Sequence, residues 1–393
     1  MSSAIKAVSH SSLISLTSKQ RAGKGRKRKA TVQAISAFDI CRGDVLEQLK
    51  QYPDNYFDAS FADPPYGLSF MGAEWDHGVP SVEVWKELYR VLKPGAFILM
   101  FGGTRTFHRQ TCAIEDAGFE IRDTLMWLYG SGFPKSHNIA NDIDKKHGHK
   151  PRGKAIPTAS THLPSGTYGP DGENLTGNKV EPYIAKERIS KPWQGYGMAL
   201  KPAFEPCILA MKPNDGTFAN NALVHGEAGL NIDACRIGER WPANLIHQEG
   251  TITEEWARYF YASKVSKRER EAGLNRFGKK KHAQSGGAQK AIKEGKNYKD
   301  GQHAGSTAAK EGANNHPCLK PIDLCRYLAL LLLPPAQKGK ARRLLVPFSG
   351  SGSEMIGARL AGWDHVTGIE IDSRYAKIAK ARIEHWTEEK KVA

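Results

Sequence analysis

The stretch RLLVPFSGSGSEMIGARLAGWDHVTGIE, residues 343–370, decides how the chain folds. Residues 343–347 are a short apolar run of the kind buried in a sheet, and residues 352–361 carry apolar side chains at helical spacing. Residues 365–371 read as a second strand, with Glu370 near its end. Between strand and helix lies Phe348-Ser349-Gly350-Ser351-Gly352-Ser353. Its glycines let backbone amides approach a ligand closely, while the helix N-terminus favours a carboxylate or phosphate. Glu370 stands 18 residues beyond Gly352, close to the spacing at which nucleotide-binding units present an acid to both ribose hydroxyls. These residues point to a cofactor that carries adenosine. The dinucleotide fingerprint requires a third glycine three residues after Gly352, and Met355 stands there, which disfavours a nicotinamide enzyme. Taken alone, the loop also fits a tight turn followed by a surface glutamate.

Upstream, the chain repeats the same alternation. A strand from Ile35 leads to Gly43-Asp44, and residues 54–62 run through Phe57, Ala59 and Phe61 into Asp63. Residues 82–92 have helical spacing, Lys93-Pro94-Gly95 stops them, and residues 96–101 form the next buried strand before Gly102-Gly103. A helix over 107–117, strands over 123–129 and 206–211, and helices over 321–333 and 374–386 complete the pattern. The alternation predicts an α/β fold with a doubly wound, mostly parallel sheet of seven strands, whose ligands sit beyond the carboxyl ends of the strands. Asp63 and Gly102 occupy two such ends.

Asp63-Pro64-Pro65-Tyr66 is the second chemical signal. An exocyclic amine on a nucleobase is a poor nucleophile because its lone pair is delocalised into the ring. The Asp63 carboxylate and the Pro64 carbonyl can accept its two N–H bonds and draw the nitrogen toward tetrahedral geometry. Two prolines stiffen the loop and fix where that carbonyl points. Tyr66 can stack on a base turned out of its duplex, and its π face tolerates the positive charge that develops during alkylation. Read as four isolated letters, the tetrapeptide is equally a proline-stabilised turn with an aspartate cap.

The 393 residues, 40% of them hydrophobic, can bury one large domain with insertions or two domains. The longest apolar run, residues 328–333, is too short to span a bilayer, so no membrane partner is expected. Lysine and arginine number 57 against 41 acids, a net charge of +16 that favours a polyanionic partner without naming one. Cys41, Cys112, Cys207, Cys235, Cys318 and Cys325 have neither zinc-site nor redox spacing and read as free thiols in a reducing compartment. Four regions result: a basic arm at 1–34, an alternating strand–helix stretch at 35–213 that holds the tetrapeptide, a polar stretch with a lysine- and glycine-rich part at 214–315, and a second alternating stretch at 316–393 that holds the glycine loop.

With the tetrapeptide before the glycine loop, the sequence resembles the β class of amino-methylating DNA methyltransferases. DPPYGLSFMGAEWD (63–76), WLYGSGFPKSHN (127–138), LKPAFEPCILAMKP (200–213), WPANL (241–245) and HPCLKP (316–321) are similar to successive blocks of phage-type orphan methylases. The resemblance spans residues 38–384 and implies a circularly permuted methyltransferase sheet with an inserted recognition region. It implies S-adenosyl-L-methionine as cofactor, with Phe348, Gly350 and Gly352 around the methionine portion, Glu370 on the ribose, and the segment holding His316 and Lys320 against the methionine tail. Asp63, Pro64, Pro65 and Tyr66 would be catalytic. Asp44 matches the position that contacts the cofactor adenine, and it also fits a helix N-cap. Ser353 stands where many relatives carry threonine, which preserves the hydroxyl. His316 reads as a turn residue, since the displacement uses no histidine base.

The implied partner is double-stranded DNA, and Lys264, Lys267, Arg268 and Arg270, near Tyr259, Phe260 and Tyr261, form a mixture suited to phosphate contact and base stacking. The same residues describe a solvated basic helix. Adenine N6 is the expected target and cytosine N4 the alternative. An RNA methyltransferase and a catalytically silent DNA-binding module are further readings. A monomer and a homodimer both remain open, and the expected compartment is the cytoplasm of a prokaryote or phage-infected cell.

Overall fold

A computed structural model describes residues 37–68, 76–129, 136–148, 189–247, 265–282, 310–316 and 318–388. The arm expected at 1–34, Lys264, the neighbouring aromatics 259–261 and residues 283–309 lie outside these. Among the described residues ten strands are formed: β1 (Phe38–Arg42), β2 (Phe57–Ala62), β3 (Leu92–Phe101), β4 (Glu120–Leu128), β5 (Phe204–Met211), β6 (Leu245–His247), β7 (Lys280–His282), β8 (Lys310–Gly312), β9 (Arg343–Val346) and β10 (His365–Glu370). Eight of them make one sheet in the order β1-β10-β9-β2-β3-β5-β4-β6, and β7 pairs with β8 separately. All seven expected strands are in the large sheet. The eighth, β6, is three residues long and has too little periodicity to be read from sequence.

Within the sheet only β5 runs against its neighbours, antiparallel to both β3 and β4. A parallel strand delivers its last residue to the ligand-binding edge; a reversed strand delivers its first. β5 therefore brings Phe204 and Glu205 to the edge where β2 ends at Ala62. The two halves of the chain meet at the β2–β9 seam, where Ala59 pairs with Leu344 and Ser60 with Leu345. The Ser60 hydroxyl also donates to the Leu345 carbonyl at 3.0 Å.

Every residue of β2 is buried, including Asp58 and Ser60, because helices cover a parallel sheet on both faces. The helix Val82–Val91 contributes Trp85, Leu88 and Val91 to the core. It passes directly into β3, so Lys93-Pro94-Gly95, expected as a turn, is strand. Gly95 adopts φ +77°, donates to the Lys212 carbonyl at 3.0 Å, and leaves no room for a Cβ beside Asn221. Among the described residues, no helix is long and apolar enough to cross a membrane. All six cysteines are free thiols.

Two compact units are present. The first contains Met1–Leu128, Phe204–His282 and Glu311–Ala393; the second contains Tyr129–Ala203 and Ala283–Lys310. Of the polar stretch at 214–315, where the inserted recognition region is expected, residues 214–247 and 265–282 thus group with the sheet. In that second unit Ser190 donates to the buried Asp144 at 2.6 Å, and the Trp193 and Tyr196 rings meet edge-on at 5.5 Å.

The buried Asp58 is satisfied at the opposite edge of the sheet by an ion pair with Lys93 and by the Arg343 amide at 2.6 Å. Glu227, 4% exposed, bonds to the same carboxylate, and burial followed by Asp58 pushes its carboxyl up to about 10. The unfolded chain ionises this group near 4.5. The protonated contact therefore stabilises the fold fully below that value and is lost progressively as pH rises toward about 10. Glu227→Gln should flatten the decline in melting temperature between about pH 5 and about pH 9 relative to wild type. Parallel declines would refute this protonation state.

Candidate active site

Asp63 follows the last residue of β2, and the loop it opens is held from several sides. Asp76, 1% exposed, accepts the Gly67 amide at 2.8 Å and the Leu68 amide at 3.3 Å. The Thr106 hydroxyl donates to the Tyr66 carbonyl at 2.5 Å. Pro64 is buried, and a Cβ on Gly103 would come within 3.2 Å of the Tyr66 Cβ. The Tyr66 hydroxyl donates to Asp63 Oδ1 at 2.6 Å and lies 3.1 Å from Glu205 Oε2. Burial, then the Asp63 and Glu205 carboxylates, keeps that phenol well above its ordinary range and protonated.

Lys320 closes the cluster. Its Nζ lies 2.5 Å from Asp63 Oδ2, 3.1 Å from Glu205 Oε2 and 3.2 Å from the Tyr66 hydroxyl. The three ammonium protons thus have three partners. The same nitrogen sits 4.5 Å from the centroid of the Phe101 ring. Burial works against this charge, but Asp63 and Glu205 outweigh it and hold the ammonium well above its usual range. Lys320, expected on a cofactor tail, is engaged here by the Asp63 carboxylate.

The glycine loop lies at the end of β9. Phe348, Gly350 and Gly352 adopt φ +60°, +50° and +81°, so left-handed residues alternate with Ser349 and Ser351. At Gly350 a Cβ would approach His316 Nε2 to 2.9 Å, and at Gly352 one would reach the Ala379 Cβ at 3.0 Å. Helix Ser353–Ala361 starts immediately afterwards. Glu370 accepts the Gly350 amide at 2.7 Å on one oxygen and the Asp372 amide at 2.8 Å on the other. Burial raises the Glu370 pKa against these bonds and a further one from the Ile371 backbone. Ser349 Oγ is buried without a hydrogen-bond partner.

From behind, the fully buried Arg382 donates to the Ser351 carbonyl at 2.5 Å and to the Ser351 hydroxyl at 3.2 Å. Burial lowers this guanidinium to about 10, which leaves it charged at neutral pH. His316 is pushed down to about 4 by burial, so it is neutral, and its Nδ1–H donates to the Cys318 carbonyl at 2.6 Å. The segment with His316 at one end and Lys320 at the other joins the glycine loop to Asp63.

The remaining expected residues are placed as follows. Asp44 caps the helix Val45–Leu49 by accepting the Glu47 amide at 3.3 Å. Lys267 and Arg268 are exposed on the short helix Lys267–Glu271. Arg270 of that helix turns inward and donates to the His316 carbonyl at 2.9 Å. Three residues of the site had no role assigned from sequence: Glu205, Asp76 and Arg382. Glu205 and Asp76 fall inside blocks quoted for their resemblance, and that was their only signal. Arg382 sits in an ordinary amphipathic helix and gave none.

The family described as DNA methylase, of the N6 and N4 type, matches residues 57–381. The chain belongs to this family. Among curated DNA methylases, the type II methyltransferase M.HindIII of Haemophilus influenzae is 26% identical over 154 residues, 38% of each chain. M.HinfI of Haemophilus influenzae is 31% identical over 109 residues, 22% of this chain and 30% of that one. The chain spans less than two-fifths of the length of these curated relatives. Among solved structures, the M1.HpyAVI–SAM complex shares 12% identity at a TM-score of 0.43, covering 88% of this chain and 98% of that one. The cytosine-N4-specific PvuII DNA methyltransferase shares 13% at 0.44, covering 90% and 91%.

In this methylase-family chain, Arg382 is the strut of the glycine loop. Arg382→Met should destabilise the fold by about 2–4 kcal/mol, because the Ser351 carbonyl loses a charged donor in a dry site. Chemical denaturation measures it, and a loss below about 0.5 kcal/mol would show that the strut carries no load.

Proposed function

We propose that the protein is an S-adenosylmethionine-dependent DNA methyltransferase that modifies the exocyclic amine of a base flipped out of the duplex. The observation that carries this reading is the pairing of Asp63 and Tyr66, at the end of a buried strand, with a left-handed glycine loop beside Glu370. The segment from His316 to Lys320 couples the two.

The loop suits the cofactor. A Cβ at Gly350 or Gly352 would fill its cradle, Ser349 Oγ is buried without a partner, and Glu370 stands beside the loop as a carboxylate acceptor for ribose hydroxyls. Phe348, Gly350 and Gly352 would line the methionine portion, with Asp44 toward the adenine. When bound, the sulfonium would supply an electrophilic methyl group with a thioether as leaving group, and the methylated amine would give up one N–H proton to solvent. Asp63 accepts one amine N–H and the Pro64 carbonyl the other, so the lone pair turns toward the incoming carbon. Tyr66 provides the stacking face. Lys264, Lys267 and Arg268 are assigned to phosphate contact, while Arg270 shapes the site through the His316 carbonyl.

Cytosine N4 and adenine N6 offer the same pair of donors to these acceptors. The preference for adenine gains no support from the geometry, and cytosine N4 stands level with it. Digestion of methylated duplex DNA to nucleosides separates the two, and structured RNA as a parallel substrate tests for RNA methylation. Asp63→Ala should lower methyl transfer at least about a hundredfold, as loss of a transition-state acceptor does. Unchanged transfer would remove Asp63 from the mechanism. Glu370→Ala should weaken donor binding about tenfold or more in calorimetry, the effect of losing charged hydrogen bonds. Unaltered affinity would move the ribose elsewhere.

A further inference from the structure

The Asp63 cluster holds two carboxylates and one ammonium, and the ammonium side chain is 4% exposed. We infer that Lys320 and Glu205 are positioning residues for methylation: Lys320 pins Asp63 Oδ2 and fixes the direction of that carboxylate, while Glu205 offsets the ammonium charge beside the nitrogen on which positive charge develops. The inference rests on the methyltransferase reading and adds to it a pair of residues that touch neither donor nor base.

The geometry assigns the roles. The three partners of Lys320 are Asp63, Glu205 and Tyr66, so the ammonium has no proton left for a ligand. Lysine 4% exposed and unable to reach outward acts through what it holds. Tyr66 places its proton on Asp63 Oδ1, so each oxygen of the catalytic carboxylate is oriented by one donor. One lone pair on each remains for the amine. Glu205 approaches both donors, at 3.1 Å from each, and shares the ammonium with Asp63. Without Glu205 the positive charge of Lys320 would fall on Asp63 alone and cancel the field that favours a cationic transition state. Without Lys320 two carboxylates would face each other across Tyr66 with no cation between them, a like-charge contact.

The other titratable groups around Asp63 do not offset this. Burial drives Cys207 and Cys318 up and His316 down, so all three are neutral at neutral pH. Glu354 is the exception, raised by burial and then by Asp63 to about 7. Arg382 lowers its pKa in turn, and it also feels Lys320.

The test is a charge cycle on the full-length protein: Lys320→Met, Glu205→Gln and the double variant, with pH–rate profiles of methyl transfer to duplex DNA and donor affinity by calorimetry. Lys320→Met should move the acid limb of kcat up by about one unit or more, a like-charge shift. Glu205→Gln should move it down and lower kcat about tenfold, with donor affinity within about threefold of wild type. The double variant restores a net charge of minus one, and its limb should return toward the wild-type position with kcat above that of Lys320→Met. Single variants with wild-type limbs, or a double variant no better than Lys320→Met, would overturn the inference. If Lys320→Met does not fold, the Glu205→Gln profile decides alone: a limb that stays in place overturns the proposal. A wild-type protein that binds donor and DNA but transfers no methyl group would instead sink the methyltransferase reading, and Glu205 and Lys320 with it only as catalytic aids.

Discussion

The ion pair between Lys320 and Asp63 joins residues 257 positions apart, and the rest of the site is arranged around it. A lysine with this little exposure needs full compensation, which Asp63, Glu205 and Tyr66 supply together. Those three residues come from a loop after β2 and from the start of β5. The pair therefore requires the β2–β9 seam, the reversal of β5 and the turn at His316 all to be in place. The geometry of the candidate site and the tertiary structure are here the same set of contacts.

The glycine loop obeys a second constraint, that of space. Three left-handed residues in alternation draw the backbone so close to His316 and Ala379 that side chains are excluded at Gly350 and Gly352. Arg382 then holds the loop from the far side. A rigid cradle of this kind lets Glu370 and the loop amides meet a ligand with little reorganisation, which is where preorganised sites gain their affinity. Phe348 is the one non-glycine among the three, and its φ of +60° is a strained choice for a residue with a Cβ.

Much of this was legible in the sequence. The strand–glycine–helix–strand unit at 343–370 and the tetrapeptide at Asp63 announced themselves because their chemistry needs particular residues in consecutive order. Seven strands were readable because apolar residues run or alternate through each of them, as Phe57, Ala59 and Phe61 do through β2. The hidden parts are those whose meaning is purely spatial. Glu205 looks like an ordinary acid at the start of a strand, and only the reversed direction of β5 brings it to Asp63. Arg382 lies in a helix with charged neighbours, and nothing in its spacing marks it as the one buried arginine of that face. Arg270 misled in the opposite direction, since a basic cluster in sequence turned out to have one member facing the core. Lys93-Pro94-Gly95 reads as a stop because proline and glycine usually punctuate, yet the sheet absorbs both at the start of β3.

The pairing of β1 with β10 carries a consequence for how the chain matures. Phe38 is hydrogen-bonded in register with Val366, about 330 residues further along, and at ordinary ribosomal speeds that separation corresponds to tens of seconds of synthesis. β2 can pair with β3 almost as soon as both emerge, but among the described residues β1 has no neighbour in the sheet other than β10. That edge of the sheet is therefore completed late, by contacts about 330 residues apart, and the nascent protein must keep an unpaired strand edge from finding another molecule until its own carboxyl-terminal segment arrives.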